Sequence, residues 1–308
     1  MGREDNAVKR TGLAGICLLL CLSLFAACGE KEPLLDGKSF PVTGGSAMTA
    51  GLDRTVRTHM TGEDEAAAVR KTLHTAEEEA YEALLAGKVG LIYVPGPPSA
   101  VWEEKAKAMG LSLEATPVAR DALVFYVNEK NPVKSVSKED LKKIYSGEID
   151  SWRALSGESV PVEAYECPEG NFYRLLMEDK IMHGADTAGE PLEVAVNEGE
   201  DPLLFSLEDS ALSYRPASYR NTPGSIFYGG RHYLTGTEKA RGIRLLKLEG
   251  ASPADGEIAS GRYDLTYDIY AVILSSSPEG SGERAVVSWL LTGEGQKAVK
   301  EAGYAALS

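Results

Sequence analysis

The sequence predicts an α/β protein, because strand-like apolar runs alternate with helical patterns along the chain. Each run is rich in Val, Ile, Tyr and Phe and is bounded by Gly, Pro, Asn or Ser. This is typical of strands buried on both faces of a parallel sheet. The predicted strands span residues 90–94, 122–127 and 269–274. A chain of 308 residues can also bury a substantial core, and a chain of this length ordinarily divides into two domains.

Start signals place helices between these strands. Thr75-x-x-Glu78 is the pattern of a capping box, in which the two side chains satisfy free N–H groups of the first helical turn. It predicts a helix that starts directly after Thr75. Ser137-x-x-Asp140 predicts a second helix start of the same kind. The last helical patterns span residues 285–291 and 294–302.

The N-terminus has the pattern of an export signal. Basic residues stand near the start, and an uncharged, mostly apolar stretch then leads to the small residues Ala26 and Ala27 and to Cys28. A cysteine directly after the cleavage point is what a bacterial lipoprotein signal requires. We therefore predict that residues 1–27 are a lipoprotein signal peptide and that Cys28 is lipidated and anchors the protein to the cell membrane. Residues 28–38 would then be a tether.

An uncleaved membrane anchor is the alternative interpretation of the same stretch. Its apolar part covers residues 13–27, whereas a helix needs about 20 apolar residues to span a bilayer. The length therefore favours a signal peptide.

The composition limits the partners. The formal net charge is −14, and it becomes −15 once residues 1–27, with three basic and two acidic side chains, are removed. So acidic a surface argues against nucleic acid and against docking on anionic lipid through a basic patch. It does not exclude a small anion, which local dipoles can hold. Beyond Cys28 the chain has one cysteine, Cys167, so the mature chain forms no intramolecular disulfide.

Four phrases of the chain occur together in one protein family. They are GGSAMTAGL (44–52), TPVARDALVFYVNEKNPVKSVSKEDLKKIYSGEIDSW (116–152), LKLEGASPADGEIASGRYDLTYDIYAVI (246–273) and VSWLLTGEGQKAVKEAGYAAL (287–307). In order and spacing they resemble the phosphate-type substrate-binding proteins of ABC transporters. The resemblance runs from about Phe40 to the C-terminus.

The resemblance implies a two-lobed, periplasmic-binding-protein-like fold of type II, with a ligand cleft between lobes that are joined by crossing strands. Lobe I would consist of residues 39–123 and 263–308, and lobe II of residues 124–262. Such proteins close about a hinge, because a ligand that contacts both lobes stabilises the closed form.

The resemblance also places an anion site at two helix starts of lobe I. Backbone N–H groups at helix N-termini and nearby hydroxyls suit an oxyanion. Gly45, Ser46 and Ala47 lie at the first of these starts, although Gly-Gly-Ser by itself is equally the pattern of an ordinary strand–helix turn. Thr75 matches the family's hydroxyl residue at the second. Its oxygen either caps its own helix, or contacts the ligand, or does both.

Lobe II departs from the family pattern. Cys167 stands at the position of the family's arginine, which removes a bidentate cation. Asn171 opens the segment that replaces a hydroxyl-glycine-hydroxyl run, and it is the ligand-binding candidate that remains there. The family's acidic acceptor is missing from residues 94–98, which puts selectivity for phosphate over sulfate in question. Asp121 is kept at the crossing strand. It either faces the cleft as an acceptor or makes a hinge ion pair or hydrogen bond.

Catalytic and metal-binding hypotheses have less support. Cys167 could act as a nucleophile with His183 or His232 as its base, but the sequence places neither histidine beside it. The four histidines include no pair at ligand spacing, so we expect no metal, no cofactor and no enzymatic activity. The acidic residues 77–79 are expected to form a solvated helix start.

We therefore expect a lipid-anchored extracytoplasmic solute-binding protein. It would capture phosphate or another small anion by hinge closure and deliver it to an ABC permease complex. It would contact the membrane through the lipid on Cys28, bind no nucleic acid, and be a monomer. The altered segment around Cys167 keeps a second hypothesis open, in which the protein is a non-transport sensor or surface adaptor that has lost phosphate binding.

Overall fold

The structure is a computed structural model. It describes residues 34–155, 158–167, 171–188, 190–191, 221–233 and 242–307. The predicted signal peptide and Cys28 lie outside the described residues. The chain divides into two units, and the second, Leu35–Ser308, is compact. Within it the backbone N–H of Leu35 donates to the Met60 carbonyl at 3.0 Å, so the last residues of the predicted tether contact the folded unit.

The strands of the compact unit follow the predicted apolar runs and extend beyond them. They are β1 (Thr43–Ser46), β2 (Thr72–Thr75), β3 (Leu91–Pro95), β4 (Leu113–Asn128), β5 (Ser135–Val136), β6 (Glu163–Glu166), β7 (Glu190–Pro191), β8 (Ser225–Gly230), β9 (Ile243–Leu245), β10 (Lys247–Leu248) and β11 (Thr266–Leu274). All three predicted strands are confirmed, as β3, part of β4 and part of β11.

The main sheet is mixed rather than parallel. Its order is β2-β1-β3-β11-β4-β8-β6-β7, and β9 also pairs with β4. Strand β1 pairs in parallel with β2 and β3, whereas β11 runs antiparallel to both β3 and β4. The expectation of parallel pairing is therefore wrong for β4 and β11. Their apolar sequences reflect burial on both faces, which antiparallel strands at the centre of a covered sheet share with parallel ones.

Strand β4 connects the two halves of the sheet. From Leu113 to Ala122 it pairs with β11, and from Leu123 onward it pairs with β8. At the change of partner, Leu123 donates its N–H to the carbonyl of Leu265, just before β11. The resemblance implies crossing strands near residues 121–127 and 263–269, which are the part of β4 where it changes partner and the segment that leads into β11. The lobe boundaries themselves stay a prediction.

The helices pack against this sheet. They are α1 (Ala50–Thr61), α2 (Glu65–Val69), α3 (Glu77–Leu85), α4 (Ala100–Ala108), α5 (Lys138–Tyr145), α6 (Phe172–Met177), α7 (Asp255–Ala259), α8 (Gly282–Leu290) and α9 (Gly293–Glu301). Short 3-10 turns span Ala47–Thr49, Trp152–Leu155 and Arg231–Tyr233, and a π-helical turn, Glu178–Met182, follows α6. Among the described residues, none of these helices has both the length and the apolar character that crossing a membrane requires.

One of the two predicted capping boxes forms. Ser137 accepts from the backbone N–H of Asp140 while the Asp140 side chain accepts from the N–H of Ser137. The capping box predicted at Thr75 is wrong. Ala76 is the N-cap of α3, and Thr75 is instead the last residue of β2. This difference leaves the Thr75 hydroxyl at the end of a strand.

Candidate anion-binding site

Ser46 and Thr75 lie side by side at one edge of the sheet. They end the neighbouring parallel strands β1 and β2 and are paired in register. A helical segment follows each of them, Ala47–Thr49 after Ser46 and α3 after Thr75. The edge therefore combines two hydroxyls with the first N–H groups of two helical segments, which are donors suited to an oxyanion.

The Ser46 hydroxyl makes no hydrogen bond to a described residue. The Thr75 hydroxyl makes one bond, to the carbonyl of Ala76 at 3.2 Å. That bond uses the Thr75 proton but leaves its oxygen lone pairs available, and the hydroxyl can rotate to donate elsewhere. The alternative in which Thr75 is consumed by capping α3 does not apply.

Gly45 brings the backbones of this edge close together. A Cβ atom at Gly45 would overlap the carbonyl oxygen of Tyr93 in β3 and would lie 2.9 Å from the Thr49 hydroxyl. Only glycine therefore allows β1 and β3 to pair while the turn after Ser46 folds back over them.

Glu77 differs from the expected solvated helix start. It is the first residue of α3 and is partly buried. Burial, with a smaller contribution from Glu78, raises the pKa of the Glu77 carboxyl to about 7. This side chain can therefore carry a proton near neutral pH, two residues from Thr75, and the sequence pattern alone gave no sign of it.

Cys167 lies in the interior, directly after β6. It is buried, its backbone N–H donates to the Tyr228 hydroxyl at 3.3 Å, and its thiol contacts the Tyr228 carbonyl at 3.9 Å. Burial raises the pKa of the Cys167 thiol, and the nearby Arg174 offsets only part of that rise. Neither thiolate chemistry nor contact with a ligand in solvent fits this environment.

The Cys167 thiol should therefore be unreactive in the folded protein. We expect labelling by a soluble disulfide reagent at pH 8 to be at least about 100-fold slower than in denaturant, because the thiol is buried and protonated. The labelling rate in native buffer and in urea measures this directly. Equal rates would show that Cys167 is accessible.

A cation does lie beside Cys167, but it belongs to another residue. Arg174 in α6 donates to the Cys167 carbonyl at 3.3 Å and pairs with the buried carboxylate of Glu166 at 2.6 Å. It also reaches Glu178, at 3.1 Å. The guanidinium is thus paired with two carboxylates. The sequence pattern gave no sign of this cation, because Arg174 lies seven residues after Cys167.

Asn171 is the N-cap of α6. Its side-chain oxygen accepts from the Tyr173 N–H at 2.9 Å. The next side chain, Phe172, packs edge to face on Tyr267 of β11, with ring centroids 4.9 Å apart. The role that the structure shows for Asn171 is therefore helix capping, and its ligand-binding role stays a prediction.

Asp121 is fully buried where β4 changes partners. One carboxylate oxygen accepts from the Tyr267 hydroxyl and from His232 Nδ1, each at 2.6 Å, and the other accepts from the His232 backbone N–H at 3.3 Å. These contacts correspond to the hinge alternative for Asp121. Its ligand-binding role stays a prediction.

A chain of contacts links Asp121 to the sheet edge. The His232 ring stacks on Tyr304 with centroids 4.5 Å apart, and the Tyr304 hydroxyl donates to the Met48 carbonyl at 2.7 Å. Met48 belongs to the turn that follows Ser46. The structure thus brings Gly45, Ser46, Ala47 and Thr75 together at one edge and connects Asp121 to that edge through His232 and Tyr304. The sequence pattern gave no sign that His232 contacts Asp121 and Tyr304.

Comparisons with known proteins place the chain in a family. Residues 36–294 match the PBP superfamily domain, so the chain belongs to the PBP superfamily. It is 26% identical over 163 residues to the phosphate-binding protein PstS of Bacillus subtilis, a match that covers 53% of this chain and 48% of that protein. It is 22% identical over 232 residues to PstS of Staphylococcus haemolyticus, covering 73% of this chain and 68% of that one. The chain thus spans about half of the length of the first relative.

Solved structures show the same fold. A Clostridium perfringens protein described as a putative phosphate ABC transporter substrate-binding protein with bound phosphate superposes with a TM-score of 0.61 at 15% identity, covering 86% of this chain and 98% of that one. An ABC-type phosphate transport receptor from Vibrio cholerae gives a TM-score of 0.57 at 15% identity, covering 86% and 99%. The two-lobed α/β fold and the resemblance to phosphate-type substrate-binding proteins are therefore confirmed.

Proposed function

We propose that this protein is an extracytoplasmic solute-binding protein that captures a tetrahedral oxyanion, phosphate in the first place, at the sheet edge formed by Ser46 and Thr75. The pairing of these two residues at the ends of parallel strands is the observation that carries the proposal, because it places two hydroxyls and two helical N-termini around one point. Hinge closure about β4 and β11 would complete the site from lobe II.

The proposal also includes how the ligand is used. The relatives include proteins named phosphate-binding PstS and a phosphate transport receptor. We propose that this chain likewise hands its ligand to an ABC permease and acts as a monomer, without catalysis. The lipid on Cys28 would hold it at the membrane, where tethering raises its local concentration near the permease.

Calorimetric titration tests the ligand. Purified residues 29–308, which contain the whole compact unit, are titrated with phosphate, sulfate and molybdate at several pH values. We expect micromolar binding of phosphate. Absence of heat for all three anions would contradict the oxyanion proposal.

Two hydroxyl deletions test the site. We expect Ser46→Ala and Thr75→Ala each to weaken phosphate binding by about tenfold or more, because each removes a hydrogen bond to a charged group. Thr55→Ala is the matched control, since among the described residues the Thr55 hydroxyl bonds only to the Gly51 carbonyl of its own helix. Phosphate affinities that stay at the wild-type value in both site variants would place the ligand elsewhere.

A sensor or surface adaptor without phosphate binding is the second candidate function. The environment of Cys167 favours it, because the position of the family's arginine is buried and the adjacent Arg174 is paired with Glu166. This candidate predicts a stably folded protein that binds none of the three anions.

A further inference from the structure

His74 lies directly behind the proposed anion site and is almost wholly buried, with a side chain that is 4% exposed. It precedes Thr75 in β2. Its Nδ1 atom lies 2.8 Å from the Ser46 carbonyl oxygen, and its Nε2 atom lies 2.9 Å from a carboxylate oxygen of Asp53 in α1. The ring therefore joins three elements of the edge, β1, β2 and α1.

Both ring nitrogens of His74 face oxygens that accept hydrogen bonds. A carbonyl oxygen cannot donate, so a hydrogen bond to Ser46 requires a proton on Nδ1. Without that proton, two lone pairs would face each other at 2.8 Å. The Thr49 hydroxyl does not provide an alternative donor to Nδ1, since it is 3.4 Å from that atom but 2.8 and 2.9 Å from the carbonyls of Ser46 and Tyr93.

Asp53 complements the ring from the other side. It is fully buried, and its second carboxylate oxygen has no hydrogen-bond partner among the described residues. The nearby Tyr93 hydroxyl is likewise buried without a partner, and burial raises its pKa well above the ordinary value, with the Asp53 charge adding to the rise. A carboxylate oxygen in this position holds the ring from its Nε2 side.

The bond to Ser46 has a consequence for the peptide that links Ser46 to Ala47. In a trans peptide the C=O and the next N–H point in opposite directions. The Ser46 carbonyl is drawn inward by His74 and Thr49, so the N–H of the exposed residue Ala47 is directed away from the lobe interior. That direction is the one an anion at the sheet edge needs.

We propose that His74, held by Asp53, is a positioning residue that fixes the Ser46–Ala47 peptide with its N–H presented to the anion. The proposal rests on the proposed function, because it concerns the same site. It assigns no ligand contact to His74. The ring acts through the peptide that it holds.

Two isosteric variants separate positioning from simple packing. The amide nitrogen of Asn reproduces the place of Nδ1, so His74→Asn keeps the bond to Ser46 and gives up Asp53. The amide of Gln reproduces Nε2, so His74→Gln keeps Asp53 and gives up Ser46. We expect phosphate affinity within about threefold of wild type for His74→Asn and a loss of about 10- to 30-fold for His74→Gln. Equal affinities, or equal losses, in the two variants would overturn the proposal.

Imidazole nitrogen shifts in the ligand-free wild type give a second test that needs neither variant. A proton on Nδ1 of His74 is expected, because that nitrogen faces the Ser46 carbonyl oxygen, and a bare Nδ1 would overturn the proposal even if the variants do not fold. Lack of phosphate binding by the wild type would contradict the proposed function instead. The nitrogen shifts would then still test whether His74 holds the Ser46–Ala47 peptide.

Discussion

Asp121→Ala should lower the free energy of unfolding by about 3–5 kcal/mol, because it removes a buried carboxylate and the hydrogen bonds that its donors make to it. Those donors are the Tyr267 hydroxyl and the Nδ1 and backbone N–H of His232. They come from segments on both sides of the crossing strand. Urea unfolding followed by circular dichroism measures the loss.

Asp268→Ala is the matched control for this prediction. Asp268 pairs with Arg120 at 2.6 Å in the same crossing region, but the two side chains are 24% and 32% exposed. A solvent-screened pair of this kind contributes about 0–1 kcal/mol. An equal loss of unfolding free energy in both variants would show that the contacts of Asp121 contribute no more than an exposed ion pair. That result would contradict the central role of Asp121 in the hinge contacts.

Gly45→Ala should destabilise the protein by about 3 kcal/mol, at the upper end of what overpacking costs. The added methyl group meets the backbone carbonyl of Tyr93, which cannot rotate away as a flexible side chain can. The strain falls on the turn that carries Ser46, so phosphate binding should weaken as well. Unfolding in urea and calorimetric titration with phosphate measure the two effects.

Gly229→Ala controls for the general effect of adding a methyl group to a strand glycine. A Cβ atom at Gly229 in β8 would have no heavy atom of the described residues within 4 Å, apart from Gly229 itself and its two chain neighbours. We expect its unfolding free energy to stay within about 0.5 kcal/mol of wild type, as for surface substitutions away from special features. A Gly45→Ala protein as stable as the Gly229→Ala protein would contradict the close approach of β1 and β3.

The strands could be predicted from sequence because burial leaves a local signal. Apolar runs marked β3, β4 and β11, but they could not show pairing direction, since burial on both faces looks the same in parallel and antiparallel strands. Pairing direction depends on connections through the rest of the chain, so it could not be predicted from the apolar runs alone.

The Thr75-x-x-Glu78 pattern illustrates a different limit. The same residues fit a capping box and a strand end, and the register with Ser46 decides in favour of the strand. The roles of His74 and Asp53 depend on contacts between residues 21 apart in sequence, which no local pattern contains. Likewise, the resemblance implies that Cys167 stands where the family has an arginine, but only the fold shows that Cys167 is buried.

A crystal structure of residues 29–308 with phosphate tests the central claim most directly. We expect a phosphate ion within hydrogen-bond distance of the Ser46 hydroxyl, the Ala47 N–H and the Thr75 hydroxyl, at the ends of β1 and β2. Phosphate bound with micromolar affinity at any other place on the chain would contradict it.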